Sequence, residues 1–315
     1  MNLLKELEGA NTIGITGHIR PDGDCIGSIM GTYLFLKKAM PQANIIPMIE
    51  KPADEFGCIA HIDEIKSDFN PGIEVFDAFI GLDSSTTDRY GEAEKFFKAA
   101  KKTIVIDHHI SNEGFGDAQY IDGMASSASE LVYDVIDKSY MDADIALALY
   151  IGIIHDTGVL HYSCTSPKTL RTVADLTEFG FDFSDIIDKT FYEKTMVQNR
   201  LLGEGLLDFG LYENDRIAVV CMSIELMEKY GADSHDLDGI VNQIRYTKGV
   251  EVAVLLYEKA PNEYKISFRS KGLVDLSVIA THFEGGGHAR AAGCTLYGEY
   301  DECVAKVIEE IRKQL

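Results

Sequence analysis

A short β-branched run that ends in three metal-competent side chains constrains this chain more than any other feature. Thr103–Ile106 is apolar enough for a buried strand, and Asp107, His108 and His109 follow it directly. Three polar side chains in a row cannot all be buried without partners. The pattern therefore predicts a strand that delivers its last residues to a functional site.

Three other apolar stretches, far apart in the sequence, also end in a carboxylate or an imidazole. They are Ile13–Thr16 before His18, Asp22 and Asp24, Ala78–Leu82 before Asp83, and Leu149–His155 before Asp156. Each carboxylate taken alone fits a turn residue, a helix cap or a helix end. Together these interpretations require several coincidences, so we expect one shared site.

Strand-like and helix-like runs alternate through the first half of the chain. The predicted strands are Ile13–Thr16, Asn44–Ile49, Ala78–Leu82, Thr103–Ile106 and Ala118–Ile121, and the predicted helices are Asp24–Lys38, Glu92–Lys101, Ser126–Lys138 and Asp144–His155. Alternation of this kind predicts an α/β fold, with a mostly parallel sheet flanked by helices. Ligands of such sheets bind beyond the carboxyl ends of the strands, where the polar residues would lie.

The second half predicts a smaller α+β domain with antiparallel pairing. Leu206–Tyr212 with Ile217–Met222, and Val250–Tyr257 with Tyr264–Arg269, have the pattern of two hairpins, and Ile308–Lys313 predicts a closing helix. Asp185–Leu202 predicts a connecting helix, with the boundary near residue 195. The expected domains are 1–185, a helical linker 186–204, and 205–315.

Composition excludes several functions. The 315 residues carry 29 Lys and Arg against 51 Asp and Glu, a net charge of −22 that disfavours long duplex nucleic acid as a partner. The six cysteines form no C-x-x-C pair, which favours a reducing cytoplasm. No segment reaches the ~20 apolar residues that span a bilayer, so we expect no membrane partner.

The shared site has the ligand chemistry of paired metal ions. His18, Asp22, Asp24, Asp83, His108 and Asp156 supply four carboxylates and two imidazoles. Clustered carboxylates repel one another unless cations neutralise them, and a central carboxylate such as Asp83 could bridge two ions ~3.5–4 Å apart. An oxygen-rich set with some imidazole and no thiolate favours Mn²⁺, with Mg²⁺ or Co²⁺ as alternatives. Such a pair predicts hydrolysis of a phosphate ester. Asp107 is expected to support an imidazole rather than to bind metal.

A glycine-rich segment predicts a second binding site. Gly285, Gly286 and Gly287 precede His288 and Arg290, and a triple glycine can let backbone approach an anion closely. Arg269 and Ser270 end a predicted strand upstream, and arginine suits phosphate. A tight turn is the alternative. The nearby arginine favours a phosphate or carboxylate clamp.

These motifs resemble the DHH phosphoesterase family and its DHH-associated C-terminal domain, over nearly the whole chain. Size and motif order are most similar to the NrnA-type oligoribonuclease and phosphoadenosine phosphate phosphatase enzymes. The resemblance implies that His18, Asp22 and Asp83 hold one ion, and that Asp24, Asp83, His108 and Asp156 hold the other. It further implies that His109 contacts the scissile phosphate and that Asp107 orients the imidazoles. Arg269, His288 and the glycines would bind the far end of the substrate across an interdomain cleft, and a homodimer is expected.

The expected activity is therefore Mn²⁺-dependent hydrolysis of short oligoribonucleotides, including di-adenylate, and of 3′-phosphoadenosine 5′-phosphate. A cyclic di-AMP or pApA phosphodiesterase is an alternative. A processive single-strand exonuclease should show a basic track with stacking aromatic residues, which the charge and the absence of Trp argue against. A family II pyrophosphatase should lack the glycine–histidine segment, and a silent nucleotide sensor should have lost a ligand.

Overall fold

The strands of the first half form one parallel sheet. The computed structural model describes residues 1–315 and divides into two compact units, Met1–Glu193 and Lys194–Leu315. The strands of the first unit are β1 (Thr12–Thr16), β2 (Asn44–Pro47), β3 (Ala78–Leu82), β4 (Thr103–Asp107) and β5 (Ala118–Ile121). They are ordered β2-β1-β3-β4-β5 and all neighbours are parallel. The predicted α/β class is confirmed.

Helices cover this sheet. They are α1 (Leu3–Glu6), α2 (Gly23–Ala39), α3 (Glu94–Ala99), α4 (Ala128–Val135), α5 (Ala143–Asp156), α6 (Pro167–Thr177) and α7 (Phe183–Ile187). Short 3-10 turns lie at Asp54–Cys58, Ile62–Glu64, Thr87–Ala93 and Lys138–Tyr140, and a π turn lies at Asp188–Tyr192. One apolar cluster joins α2, α4 and α5 to the sheet, and a separate aromatic cluster around Phe79 and Phe97 lies between β3 and α3.

Two buried helices, α2 and α5, pack unusually closely. A side-chain carbon at Gly27 would lie 2.5 Å from the carbonyl oxygen of Ala148, and one at Gly31 would lie 2.4 Å from the Leu149 side chain. Real carbon atoms do not approach this closely, so glycine is what allows the two backbones to meet. This contact fixes the amino-terminal end of α2 relative to the carboxyl-terminal end of α5.

The second unit contains a mixed six-stranded sheet. Its strands are β6 (Gly210–Tyr212), β7 (Ile217–Met222), β8 (Val252–Ala260), β9 (Glu263–Ser270), β10 (Gly286–His288) and β11 (Ala291–Tyr297), ordered β10-β11-β9-β8-β7-β6. Its helices are α8 (Met196–Asp208), α9 (Ile224–Tyr230), α10 (Ile240–Arg245), α11 (Leu276–His282) and α12 (Tyr300–Arg312), with a 3-10 turn at Ser234–Leu237. Helices α11 and α12 cover one face, and α8, α9 and α10 cover the other. Both hairpins form, but β7 and β8 are parallel, so the pairing is mixed rather than antiparallel throughout.

Two local predictions in the second half were wrong. Leu206–Asp208 ends helix α8 instead of beginning a strand. The predicted single connecting helix is divided, because α7 passes into the π turn and a new helix starts at Met196. The new start is a capping box, in which the Thr195 hydroxyl accepts a hydrogen bond from the backbone N–H of Gln198 and the Gln198 side-chain oxygen accepts one from the backbone N–H of Thr195. None of the helices is both long enough and apolar enough to cross a bilayer.

Candidate metal centre and substrate clamp

Asp83 lies at the centre of the polar cluster, directly after the carboxyl end of β3. Its Oδ2 is 3.4 Å from Nε2 of His18, and its Oδ1 is 3.3 Å from Nε2 of His108. The two oxygens of one buried carboxylate therefore face two different imidazoles. Asp83 has a φ of 51°, in the left-handed region, which aspartate tolerates better than bulkier residues. Strained backbone at a polar cluster is typical of a functional site.

His18 and Asp22 form one side of this cluster. Nδ1 of His18 donates to the carbonyl oxygen of Ile19 at 2.9 Å, because a carbonyl can only accept. Nε2 of His18 therefore faces Asp83 and also lies 3.7 Å from Oδ1 of Asp22. Asp22 also caps α2 by accepting from the backbone of Asp24 and Cys25. Asp22 therefore acts as a helix cap and also lies beside His18.

His108, Asp24 and Asp156 form the other side. Nε2 of His108 is 3.3 Å from Oδ2 of Asp156 and 3.9 Å from Oδ2 of Asp24. The imidazole of His108 directly follows strand β4, α2 supplies Asp24 in its first turn, and α5 supplies Asp156 as its last residue. The close packing of α2 on α5 at Gly27 therefore brings two carboxylates from distant sequence positions to one imidazole.

The electrostatics of the cluster require added positive charge. Burial alone would lower the pKa of His18, but Asp22 and Asp83 raise it to about 10. Burial and the charge of Asp83 raise the pKa of Asp24 to about 7, and burial followed by the charge of Asp24 raises the pKa of Asp156. Without an added proton or metal ion, the lone pair on Nε2 of His18 would face the lone pairs of the Asp22 and Asp83 carboxylates.

This donor set fits divalent cations. Three groups each bring their ligand atoms within 4.8 Å of one another: His18, Cys25 and Asp83; Asp83, His108 and His109; and Asp24, His108 and Asp156. Cys25 lies with the first group, but burial raises the pKa of its thiol well above the ordinary value. A protonated thiol is a poor metal ligand, which leaves oxygen and imidazole nitrogen as the donors.

Asp107 holds His109 rather than contributing to these groups. Oδ1 of Asp107 lies 2.7 Å from Nδ1 of His109, and Oδ2 accepts a hydrogen bond from the Asn112 side chain at 2.7 Å. Asn112 also donates to the carbonyl oxygen of Ser84, beside Asp83. The sequence interpretation did not include Asn112, although its position three residues after His109 in the same loop was visible.

The sequence interpretation also missed the support of Asp24. Its two carboxylate oxygens accept hydrogen bonds from the backbone N–H groups of Ala128 and Ser129, at 2.6 and 2.9 Å. These groups belong to the first turn of α4, where free N–H groups favour negative charge. The serine-rich start of this helix was the available sequence signal.

In the second unit, strand register aligns the two proposed clamp residues. Arg269 on β9 pairs with Ala291 on β11, which pairs with His288 on β10. Laterally paired residues share one face of a sheet, so Arg269 and His288 flank the small Ala291, about 10 Å apart across two strand spacings. Arg269 and His288 therefore place nitrogen donors on both sides of Ala291.

The glycine run forms an edge strand rather than a free anion nest. A side-chain carbon at Gly285 would lie 2.2 Å from the carbonyl oxygen of Gly293, and one at Gly287 would lie 2.5 Å from Ala292. Gly287 also has a φ of 143°. These two glycines let β10 pack on β11, whereas Gly286 has open space beside it. Close pairing then determines where His288 lies.

Two predicted clamp residues have other contacts. Ser270 is fully buried, and its hydroxyl donates to the carbonyl oxygen of Val274 at 2.8 Å. It alternates with Arg269 along β9, so its side chain lies on the opposite face. Arg290 is exposed in the turn between β10 and β11, and its guanidinium lies against Gly272. The structure therefore does not bring Ser270 together with Arg269 and His288.

Two cavities of the second unit differ in charge. A cavity of about 380 Å³ lies beside Arg269, and its lining also holds Lys259 and Lys265 against one carboxylate, Asp238. A larger cavity of about 690 Å³ is lined by the carboxylates of Glu204, Asp208, Glu225 and Glu258 and by one cation, Lys229. Only the first has the charge that suits a phosphate group.

Comparisons with known proteins agree with this geometry. Residues 12–153 match the DHH family, N-terminal domain, and residues 214–315 match the DHHA1 domain. The bifunctional oligoribonuclease and PAP phosphatase NrnA of Thermus thermophilus is 32% identical over 317 residues, 99% of this chain and 92% of that protein. The chain belongs to the DHH family. It is accordingly an enzyme that hydrolyses phosphate esters.

Two further proteins resemble the chain over nearly its whole length. NrnA of Bacillus subtilis is 28% identical over 305 residues, which is 95% of this chain and 94% of that protein. The crystal structure of an exopolyphosphatase-related protein from Bacteroides fragilis has a TM-score of 0.89 and 28% identity, and the match covers 99% of this chain and 94% of that one. DHH phosphoesterases depend on metal ions, in agreement with the candidate metal-binding groups described above.

Proposed function

We propose that this DHH-family enzyme hydrolyses short oligoribonucleotides and 3′-phosphoadenosine 5′-phosphate at a site for two Mn²⁺ ions. The observation that carries the proposal is the carboxylate of Asp83, whose two oxygens face His18 and His108 separately. A carboxylate in this position could bind two metal ions, one with each oxygen. The oligoribonuclease and PAP phosphatase activities for which the two NrnA relatives are named support the choice of substrates.

The proposed ligands divide into two sets that share Asp83. His18, Asp22 and Asp83 would hold one ion, and Asp24, Asp83, His108 and Asp156 would hold the other. Oxygen and imidazole donors without thiolate favour Mn²⁺, with Mg²⁺ or Co²⁺ as alternatives. When bound, such a pair supplies Lewis acidity, which neutralises phosphoryl oxygens and lowers the pKa of water.

His109 is proposed to face the scissile phosphate and to donate a proton to the leaving oxygen. Its Nδ1 lies 2.7 Å from Asp107, which leaves Nε2 for the substrate. The side chain is 31% exposed, whereas Asp107 is fully buried. A buried carboxylate behind an imidazole fixes the tautomer and the orientation of the ring.

Arg269 and His288 are proposed to bind the far end of the substrate, together with the open backbone at Gly286. The guanidinium is suited to bidentate phosphate binding, and the lining of the adjacent cavity carries two lysines. A few fixed cations on one sheet face would let a chain of net charge −22 bind short anionic substrates without a long basic groove.

The test compares substrates and variants in one Mn²⁺-supplemented assay. We expect the wild-type enzyme to hydrolyse 3′-phosphoadenosine 5′-phosphate and end-labelled di- to pentaribonucleotides. Asp83→Asn, which keeps the shape of the side chain, should abolish all of these activities, and His108→Ala should do the same. A folded Asp83→Asn enzyme with near-normal activity would exclude the two-ion site.

Arg269→Ala separates the clamp from the metal centre. We expect KM for a diribonucleotide to rise about tenfold, a loss of about 1.4 kcal/mol in binding. Hydrolysis of p-nitrophenyl phosphate, which has no far end to bind, should be unchanged. An unchanged KM for diribonucleotides would remove Arg269 from the clamp while leaving the metal proposal intact.

A further inference from the structure

A buried glutamate, Glu130, lies behind the helix turn that supports Asp24. Glu130 is fully buried in the first turn of α4, where an isolated carboxylate would be costly. Its Oε2 accepts hydrogen bonds from the backbone N–H of Ser126 at 3.1 Å, from the Ser126 hydroxyl, and from the Thr169 hydroxyl at 2.9 Å. Its Oε1 lies 3.3 Å from the ammonium of Lys168.

These contacts differ from an ordinary helix cap. Ser127 is the N-cap of α4 and accepts a hydrogen bond from the backbone of Glu130. In a capping box the glutamate would accept a hydrogen bond from the backbone N–H of the cap residue itself. Here the Glu130 side chain reaches one residue further, to Ser126, and fixes the chain that enters the helix.

The same glutamate connects two helices. Thr169 and Lys168 lie in the first turn of α6, whose N-cap is Ser166. Glu130 therefore ties the start of α4 to the start of α6. Ala128 and Ser129, whose N–H groups hold both oxygens of Asp24, lie between Ser126 and Glu130 in the sequence. The hydrogen bonds that join Ser126 to Glu130 therefore enclose this segment.

We infer that Glu130 is a positioning residue for one ion of the proposed pair, because it fixes the α4 turn whose N–H groups aim Asp24. The inference rests on the proposed two-ion site. Asp24 belongs with His108 and Asp156, while His18 and Asp22 lie on the other side of Asp83. Loss of Glu130 should therefore lower the affinity for one ion and leave the affinity for the other unchanged.

The test measures Mn²⁺ binding by calorimetry and by electron paramagnetic resonance, in the absence of substrate. The wild-type enzyme should bind two Mn²⁺ ions with a spin-coupled signal. Glu130→Gln keeps the size of the side chain but places an amide against Lys168, and Ser126→Ala removes one donor. We expect each variant to lower the affinity for one Mn²⁺ ion about 10–100-fold, which is typical when a hydrogen-bond partner of a metal ligand is lost. At one equivalent of Mn²⁺, each variant should give the uncoupled signal of a single ion.

Asp134→Asn is the matched control. Asp134 is one turn further along α4 and also pairs with Lys168, at 2.5 Å, but it does not contact the Ser126 segment. This variant should bind both ions with wild-type affinity. Two unchanged affinities in folded Glu130→Gln and Ser126→Ala, or an equal loss of both, would overturn the inference. Failure of the wild-type enzyme to bind two ions would instead contradict the proposed function.

Discussion

Two carboxylates at the candidate metal centre, those of Asp107 and Asp24, are held in place by groups that would not touch an ion themselves. Asp107 is held between His109 and Asn112, and Asp24 is held by two backbone N–H groups. Such outer contacts fix the orientation of ligands and catalytic groups, and their loss typically costs 10–100-fold in affinity or activity. At the scale of residues, we therefore expect catalysis to depend on side chains that contact the site residues without contacting an ion or the substrate.

Asn112→Ala tests this dependence at His109. The substitution leaves Oδ2 of buried Asp107 without the donor 2.7 Å away, so Asp107 should orient His109 less well. We expect kcat for diribonucleotides to fall about tenfold, with Mn²⁺ affinity unchanged. Hydrolysis of p-nitrophenyl phosphate should fall less, because its leaving group needs no proton.

Asn70→Ala, at an exposed asparagine of the same unit, is the control and should leave all rates unchanged. If Asn112→Ala lowered the rates of hydrolysis of both substrates equally, Asn112 would act on the fold or on the metal ligands rather than through His109.

At the scale of elements, strand ends could be predicted from sequence and helix contacts could not. The run Thr103–Ile106 and the polar residues after it are local information, and they placed His108 correctly at the carboxyl end of β4. The support of Asp24 by Ala128 joins positions 104 residues apart, and no local pattern encodes which helices meet. The glycines of β10 have little strand propensity, so pairing with β11 decides their conformation.

Gly27→Ala tests the contact between α2 and α5. Alanine favours a helix over glycine by about 1 kcal/mol, but its side chain would lie 2.5 Å from the backbone oxygen of Ala148. The helices must then separate, at a cost of about 1–3 kcal/mol. We expect lower stability in urea unfolding and weaker Mn²⁺ binding, because Asp24 and Asp156 move apart.

Gly203→Ala provides the matched control in helix α8. No atom lies within 4 Å of the added carbon there, so this variant should be as stable as the wild-type enzyme or more stable. A Gly27→Ala enzyme with unchanged stability and Mn²⁺ affinity would show that the close contact does not determine the site.

At the scale of the whole molecule, the acidic composition and the metal centre are connected. The chain has 22 more acidic than basic residues, and a net charge far from zero disfavours the compact state through self-repulsion. Asp24 and Asp83 are buried, and Asp24 lies with Asp156 around His108, so these acidic groups are close together and poorly solvated. Bound divalent cations would therefore relieve repulsion where it is least screened by solvent.

We accordingly expect Mn²⁺ to stabilise the first unit against heat. A ligand at 100 times its Kd adds about 2.7 kcal/mol per site, which corresponds to roughly 5–10 °C in Tm for a unit of this size. Scanning calorimetry of the wild-type enzyme should show this increase with added MnCl₂ and its reversal by EDTA. NaCl at equal ionic strength should give a much smaller change, since screening acts on all charges. Asp83→Asn should lose the Mn²⁺-dependent increase, and an equal increase in that variant would place the stabilising ions elsewhere on the acidic surface.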